Sequence, residues 1–175
     1  MSNQMLNNSA SLRQDPDAAF GLEHEEHDEA ETLAVWAFRR WVLGLRHKAP
    51  EQWDTVLRGL RRRCGEAAGR EAAVAMAELV EGLRRTARRT ITHHHPCCAA
   101  LGDDEATLLV LLAACQRGDI LLAETAAHTL SGSLHTDELT SAAMRFAEAF
   151  SQRGLMLACR DLPAAAASSP AASIH

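Results

Sequence analysis

The middle of the chain reads Thr90-Ile91-Thr92-His93-His94-His95-Pro96-Cys97-Cys98. Pro96 biases His95 toward extended backbone angles, and it lacks the N–H that a helix interior needs. We therefore expect one helix to end near Ile91 and the next to be capped by Asp103 or Asp104. The connection between them is long for a helix–helix loop, and long loops on a rigid scaffold often carry function.

Apolar residues recur at helical spacing on both sides of this stretch, and the composition is rich in alanine and leucine with no tyrosine. The predicted helices before the stretch cover about 29–46, a segment that begins at Pro50, and about 70–91. After it, Gly118 ends a helix that is apolar on nearly every face, Asp119 caps the next, and Thr136 caps a last one that ends at Gly154. The sequence predicts an all-α fold, a single-domain bundle of about six helices over residues 29–160.

The two ends of the chain differ from this bundle. Residues 1–28 are expected to be a disordered acidic arm, and residues 161–175 a disordered tail rich in Ala, Ser and Pro. Residues 1–31 hold one basic and eight acidic side chains, whereas residues 32–98 hold thirteen basic and six acidic ones. An acidic arm therefore precedes a basic part of the bundle.

The five cysteines are an odd number, two of them adjacent, which does not resemble a secreted disulfide framework. The first residues show no signal segment, and no apolar run approaches the roughly 18 residues of a membrane span. We expect a cytoplasmic protein without a membrane partner.

Imidazole and thiolate are the preferred protein ligands of zinc and suit other transition metals. In an extended loop His93, His95 and Cys97 would share one side, whereas in a turn His94 could meet Cys97, or His95 could meet Cys98. No zinc-finger spacing is present, so a closed site needs a ligand from elsewhere. The alternative is a polar loop that binds no metal and buries Cys97 or Cys98 in the core. The candidate ligands, with zinc as the expected ion, are His93, His94, His95, Cys97 and Cys98, with Cys115 or His128 from outside the loop.

The second candidate site is a set of seven arginines on the predicted second and third helices, and Arg39, Arg40 and Arg46 of the first helix could extend it. A basic helical face could bind a protein partner or a polyanion, and the acidic arm could mask it. Nucleic acid is disfavoured because the net charge is −5 and no reader motif occurs. The candidate residues are Arg61, Arg62, Arg63, Arg84, Arg85, Arg88 and Arg89.

The sequence thus favours a small accessory or regulatory protein that binds a transition metal, with the interaction module as the alternative. A thiol redox protein is a second alternative, since a thiolate at Cys97 or Cys98 would be favoured by nearby arginines and a following helix N-terminus. An enzyme is the least supported class, because neither a glycine-rich phosphate loop nor a Gly-x-Ser-x-Gly elbow occurs. A homodimer is expected to use Trp36 of the first helix if that side chain is left uncovered.

One resemblance bears on the central cysteines. Pro96-Cys97-Cys98, followed by Asp104-Glu105-Ala106 and Leu108-Leu109, is similar to a family of small, uncharacterised all-helical bacterial proteins with a Pro-Cys-Cys segment. The resemblance covers about residues 33–157 and implies no transferable function. The histidine run departs from the family's pattern, so the resemblance shifts weight from the histidines to Cys97 and Cys98.

Overall fold

The computed structural model describes residues 29–163. The predicted acidic arm, 1–28, and all but the first three residues of the predicted tail, 161–175, lie outside these described residues. Residues 29–163 form a single all-α bundle, which confirms the predicted fold class. Its helices are α1 (Glu29–His47), α2 (Pro50–Cys64), α3 (Glu66–Thr86), α4 (Asp103–Arg117), α5 (Ile120–Ser131) and α6 (Asp137–Ser151).

The centre of the bundle is α4, which contacts α1, α5 and α6. Every residue from Leu108 to Ala114 is buried, as expected for a helix that is apolar all round. Burying each of these leucine side chains stabilises the folded state by about 1.5–3 kcal/mol relative to leaving it exposed. The start of α4 is therefore a rigid platform for whatever its first residues hold.

The helices α3 and α6 run antiparallel along the bundle. Arg85 pairs with Glu138 at one end, and Glu78 pairs with Arg145 further along. The side chain of Leu139 lies against Gly82, where a Cβ would come within 2.8 Å of Leu139 Cδ2. These two helices are thus locked in register by small-to-large packing and by charge.

The bounds of α3 differ from the prediction of 70–91. The helix begins four residues earlier, because only Gly65, at φ 80°, breaks the chain, whereas Gly69 is helical and packs on the backbone of α2. It ends at Thr86, because Ala87 adopts extended angles of φ −63° and ψ 128°. The next N–H, of Arg88, donates to the carbonyl oxygen of Ser131 at 2.8 Å instead of continuing the helix.

The start of α4 also corrects the prediction. Gly102 occupies the N-cap position, and Asp103, Asp104 and Glu105 are the first three helical residues. The predicted caps, Asp103 and Asp104, do not cap the helix. Glu105, the third helical residue, accepts the N–H of Gly102 at 2.8 Å, which is the bond that the third residue makes in a capping box.

The chain after α6 folds back onto the bundle, and the helix ends at Ser151, before the predicted Gly154. Gln116 of α4 donates to the carbonyl oxygen of Leu155 at 2.8 Å and accepts the N–H of Leu157 at 2.8 Å. Leu157 is buried, whereas Met156 is 49% exposed. Arg160 then pairs with the buried Glu31 of α1. No helix within residues 29–163 has both the length and the apolar character to cross a membrane.

Candidate functional site

Residues 87–102 join α3 to α4 without helix or strand, and we call them the central loop. The carboxylate of Asp104, only 6% exposed, fixes the first part of this loop. It accepts the N–H of Thr92 at 2.6 Å and the hydroxyl of Thr92 at 2.9 Å, and it also pairs with the guanidinium of Arg89. Burial raises the pKa of Asp104, but these hydrogen bonds outweigh it and leave the pKa lowered.

The neighbouring carboxylate, of Glu105, fixes the middle and the end of the loop and is fully buried. It accepts the N–H groups of His94 at 2.9 Å and Gly102 at 2.8 Å, and His94 Nδ1 lies 3.0 Å from its Oε2. Arg39 of α1 donates to both carboxylate oxygens, at 2.6 and 2.7 Å. Burial raises the pKa of Glu105, but the hydrogen bonds from Arg39, Gly102 and His94 overcome it and set the pKa at about 2.

Arg39 completes this network from the other side. Beyond Glu105, its guanidinium donates to the carbonyl oxygens of Cys98 and Ala100, each at 2.6 Å. The side chain is 4% exposed, so the expectation that Arg39 belongs to a basic surface is wrong. The physical reason is that its position on α1 faces the core, where carbonyl and carboxylate oxygens are its only strong acceptors.

The result is an irregular loop whose backbone is held at several points along its length. Side chains of α1 and α4 bind five of its backbone groups, namely the N–H groups of Thr92, His94 and Gly102 and the carbonyl oxygens of Cys98 and Ala100, so these polar groups are paired although they lie against a buried core. Its side chains, in contrast, point in several directions. A rigid backbone that displays polar side chains is a suitable platform for binding.

At the tip of the central loop, His95 and Cys97 come together. Cys98 donates its N–H to the carbonyl oxygen of His95 at 2.9 Å, which closes a turn with Pro96 at its second position. The turn brings Nδ1 of His95 within 2.9 Å of Sγ of Cys97. Both side chains are exposed. His95 and Cys97 belong to the set that was predicted to share one side of an extended loop. Neither pair predicted for a turn, His94 with Cys97 or His95 with Cys98, is formed.

The other predicted ligands of the loop are engaged elsewhere. The ring of His93 lies edge-on to Phe38, with centroids 6.4 Å apart, and His94 is tied to Glu105. Cys98 is half-buried. Residues 29–163 contain no group of three or more His, Cys, Asp or Glu side chains placed to hold a metal ion.

The two proposed outside ligands do not reach the tip of the loop. Cys115 lies near the far end of α4, roughly 18 Å along the axis from Asp103. Burial raises the pKa of its thiol to about 11. His128 of α5 has its Nδ1 at 2.9 Å from the carbonyl oxygen of Ser133.

The arginine candidates separate into two groups. Arg61, Arg62 and Arg63 end α2 beside the start of α3, whereas residues 84–89 lie at the other end of α3. That helix has 21 residues and is therefore about 30 Å long. Much of the charge is also neutralised by acidic neighbours, since the pairs are Arg61 with Glu66, Arg63 with Glu29, Arg84 with Glu81, Arg85 with Glu138 and Arg89 with Asp104. The structure does not bring the seven arginines into one basic face.

Trp36, the expected dimer contact, is half-buried. Its ring lies against Gly59 of α2, where a Cβ would come within 2.5 Å of the indole, and the guanidinium of Arg40 lies 5.4 Å from the ring centroid. Trp36 therefore serves α1–α2 packing within one chain.

A groove that the sequence did not indicate lies beside the central loop, between α1 and α3. It has a volume of about 280 Å³, and its lining, mostly apolar, includes Phe38, Val42 and Leu83. Arg84 and Arg89 also line it, but Glu81 and Asp104 already hold these two guanidinium groups.

Comparisons with protein-family models, with curated proteins and with solved structures found no match to this chain. The resemblance to bacterial Pro-Cys-Cys proteins therefore stays a prediction.

Proposed function

We propose that this chain is a small accessory or regulatory protein that binds a transition-metal ion at the tip of the central loop. The ligands are Nδ1 of His95 and Sγ of Cys97. The observation that carries the proposal is their separation of 2.9 Å on an exposed turn. With zinc–sulfur and zinc–nitrogen bonds of about 2.3 and 2.0 Å, the two donors of a tetrahedral ion stand roughly 3.5 Å apart. A small rotation of two exposed side chains supplies that opening.

The network beneath the loop supports this proposal. Arg39, Asp104 and Glu105 hold the backbone on both sides of the turn, so the two ligands are positioned before an ion arrives. Binding then loses little backbone entropy, which favours affinity. The same network explains why buried charges are retained in a core that could otherwise be apolar.

The donor set determines the kind of ion. A thiolate and an imidazole suit zinc best, as the sequence predicts, and copper next. Two protein ligands leave coordination positions on the ion that other ligands must fill. Because the thiol must lose its proton on binding, affinity should rise with pH. All five cysteines are free thiols, and a cytoplasmic, reducing location would keep Cys97 available.

The test is elemental analysis and zinc titration of untagged full-length protein, purified anaerobically. We expect zinc binding that is lost in His95→Gln and in Cys97→Ser. Matched controls are His135→Gln and Cys159→Ser, which change an exposed imidazole and an exposed thiol elsewhere. Zinc binding that is absent in the wild type, or unchanged in both loop variants, would contradict the proposal.

The same pair favours thiol redox chemistry as a second candidate. An exposed thiol beside an imidazole nitrogen is a common arrangement for a reactive cysteine. Cys97 would then react with a small disulfide faster than Cys159 does. Equal rates for the two thiols would remove this candidate and leave the metal proposal standing.

A further inference from the structure

Within residues 29–163, the proposed metal site is incomplete. A tetrahedral zinc ion takes four ligands, whereas the tip of the central loop offers two. Among residues 29–163, no third His, Cys, Asp or Glu side chain joins them. We infer that a second copy of this chain supplies the missing pair, so that one ion bridges two chains through His95 and Cys97 of each. This inference rests on the proposed function.

Symmetry makes the assembled site chemically reasonable. A two-fold axis beside the turn places the same patch of both copies face to face, which is the commonest arrangement of homodimers. The ion then receives two imidazole nitrogens and two thiolate sulfurs. That donor set, in tetrahedral geometry, is typical of closed zinc sites.

The part of the central loop around its tip carries no Asp, Glu, Lys or Arg, which suits self-association. Residues 90–101 contain no Asp, Glu, Lys or Arg, although such residues make up 23% of the chain. Near a two-fold axis each side chain faces its own copy, so a charged tip would repel itself. The exposed residues that follow the turn, Ala99 and Ala100, are small and allow a close approach.

The ion must supply most of the affinity between the copies. The large apolar side chains that are exposed lie elsewhere on the bundle, namely Val74, Ile120, Leu121, Leu134, Met144 and Met156. An interface at the loop tip would therefore bury little apolar surface. We expect a monomer without metal and a dimer with it.

The experiment is a zinc titration of untagged full-length protein in a reducing buffer, followed by calorimetry and by mass measurement in solution. We expect saturation at about one zinc per two chains. The mass should rise from the 19.0 kDa of one chain to twice that value, and a chelator should reverse the change. His95→Gln and Cys97→Ser should neither bind zinc nor dimerise, whereas His135→Gln and Cys159→Ser should behave like the wild type.

The outcomes separate the two proposals. One zinc per chain at the monomer mass would overturn the second-copy inference and leave the proposed metal site intact. A dimer that persists in chelator would also overturn the inference, because the ion would not be the bridge. Failure to bind zinc at all would overturn both proposals.

Discussion

The guanidinium of Arg39 and the carboxylate of Glu105 form a bidentate ion pair, with N–O distances of 2.6 and 2.7 Å, although both side chains are buried. Through this pair, α1 and α4 hold the loop that lies between α3 and α4. The net contribution of such a pair to stability is small, because removing both charges from water costs about as much as their attraction returns.

Breaking that pair on one side should be strongly destabilising. Glu105→Gln leaves the charge of Arg39 buried without its counter-charge, which costs about 3–5 kcal/mol of unfolding free energy. Denaturant unfolding measures the loss. The double variant Arg39→Met with Glu105→Met removes the unpaired charge and should recover only part of the loss, because the loop backbone groups that both side chains bind lose their partners. Amide exchange at His94 should become faster because its acceptor is gone. A single variant as stable as the wild type would show that the pair is not buried in solution.

Acid should weaken the same network. The pKa of Glu105 is about 2 in the folded protein against an ordinary value of 4.5, so the native state binds fewer protons than the unfolded chain between these values. Its contribution to stability is complete above about pH 4.5 and is lost as the pH falls toward 2. Asp104, whose pKa is also lowered, acts in the same direction. Unfolding free energies measured across this range should fall less steeply in Glu105→Gln than in the wild type.

Asp104 should govern the order of the loop. Asp104→Asn replaces the charged acceptor of Arg89 and Thr92, and hydrogen bonds to a charged group contribute about 1.5–3 kcal/mol. We expect a loss of about 2 kcal/mol and weaker zinc binding at the tip. Asp103→Asn, at an exposed neighbour, is the control and should change neither. Equal effects of the two substitutions would point to the helix dipole of α4 instead of the loop contacts.

The two glycines of α3 that face other helices should respond differently to alanine. In an open helix, Gly→Ala gains about 1 kcal/mol. At Gly69 a Cβ would lie 2.4 Å from the Cα of Arg61, so backbone must move, and we expect a loss of about 1–3 kcal/mol. At Gly82 the obstacle is the flexible end of Leu139, 2.8 Å away, so the loss should be smaller. Thermal unfolding of both variants checks the order, and a stabilised Gly69→Ala would refute the close α2–α3 contact.

The five thiols should fall into separate classes toward a thiol reagent. Burial raises the pKa of Cys64 and Cys115 to about 11, so these thiols stay protonated at neutral pH. Cys64 is buried and should react only after unfolding, whereas the half-buried Cys115 should react slowly in the folded protein. Cys97 and Cys159 are exposed and should react at once, with the half-buried Cys98 slower. Mass spectrometry of briefly labelled protein reads out each site. Labelling of Cys64 as fast as that of Cys159 would contradict the burial of Cys64.

The sequence by itself determined the helices, because their signals are local. The start of α2 at Pro50, the cap of α5 at Asp119 and the nearly complete burial of α4 follow from caps and from periodicity. It also located the central loop through Pro96. Its errors at α3 arose where a contact from another element competed with the local pattern, as when Ser131 accepts the N–H of Arg88.

Only the tertiary structure decided what that loop does with its side chains. Whether His95 meets Cys97 or Cys98 depends on a turn that Arg39, far away in the chain, holds by its carbonyl oxygens. The position of Arg39 between Val35 and Val42, on the apolar face of α1, indicates that its side chain is buried. This position does not indicate which acceptor the guanidinium binds. The physical reason is that hydrogen bonds between distant elements depend on packing, which no local pattern in the sequence records.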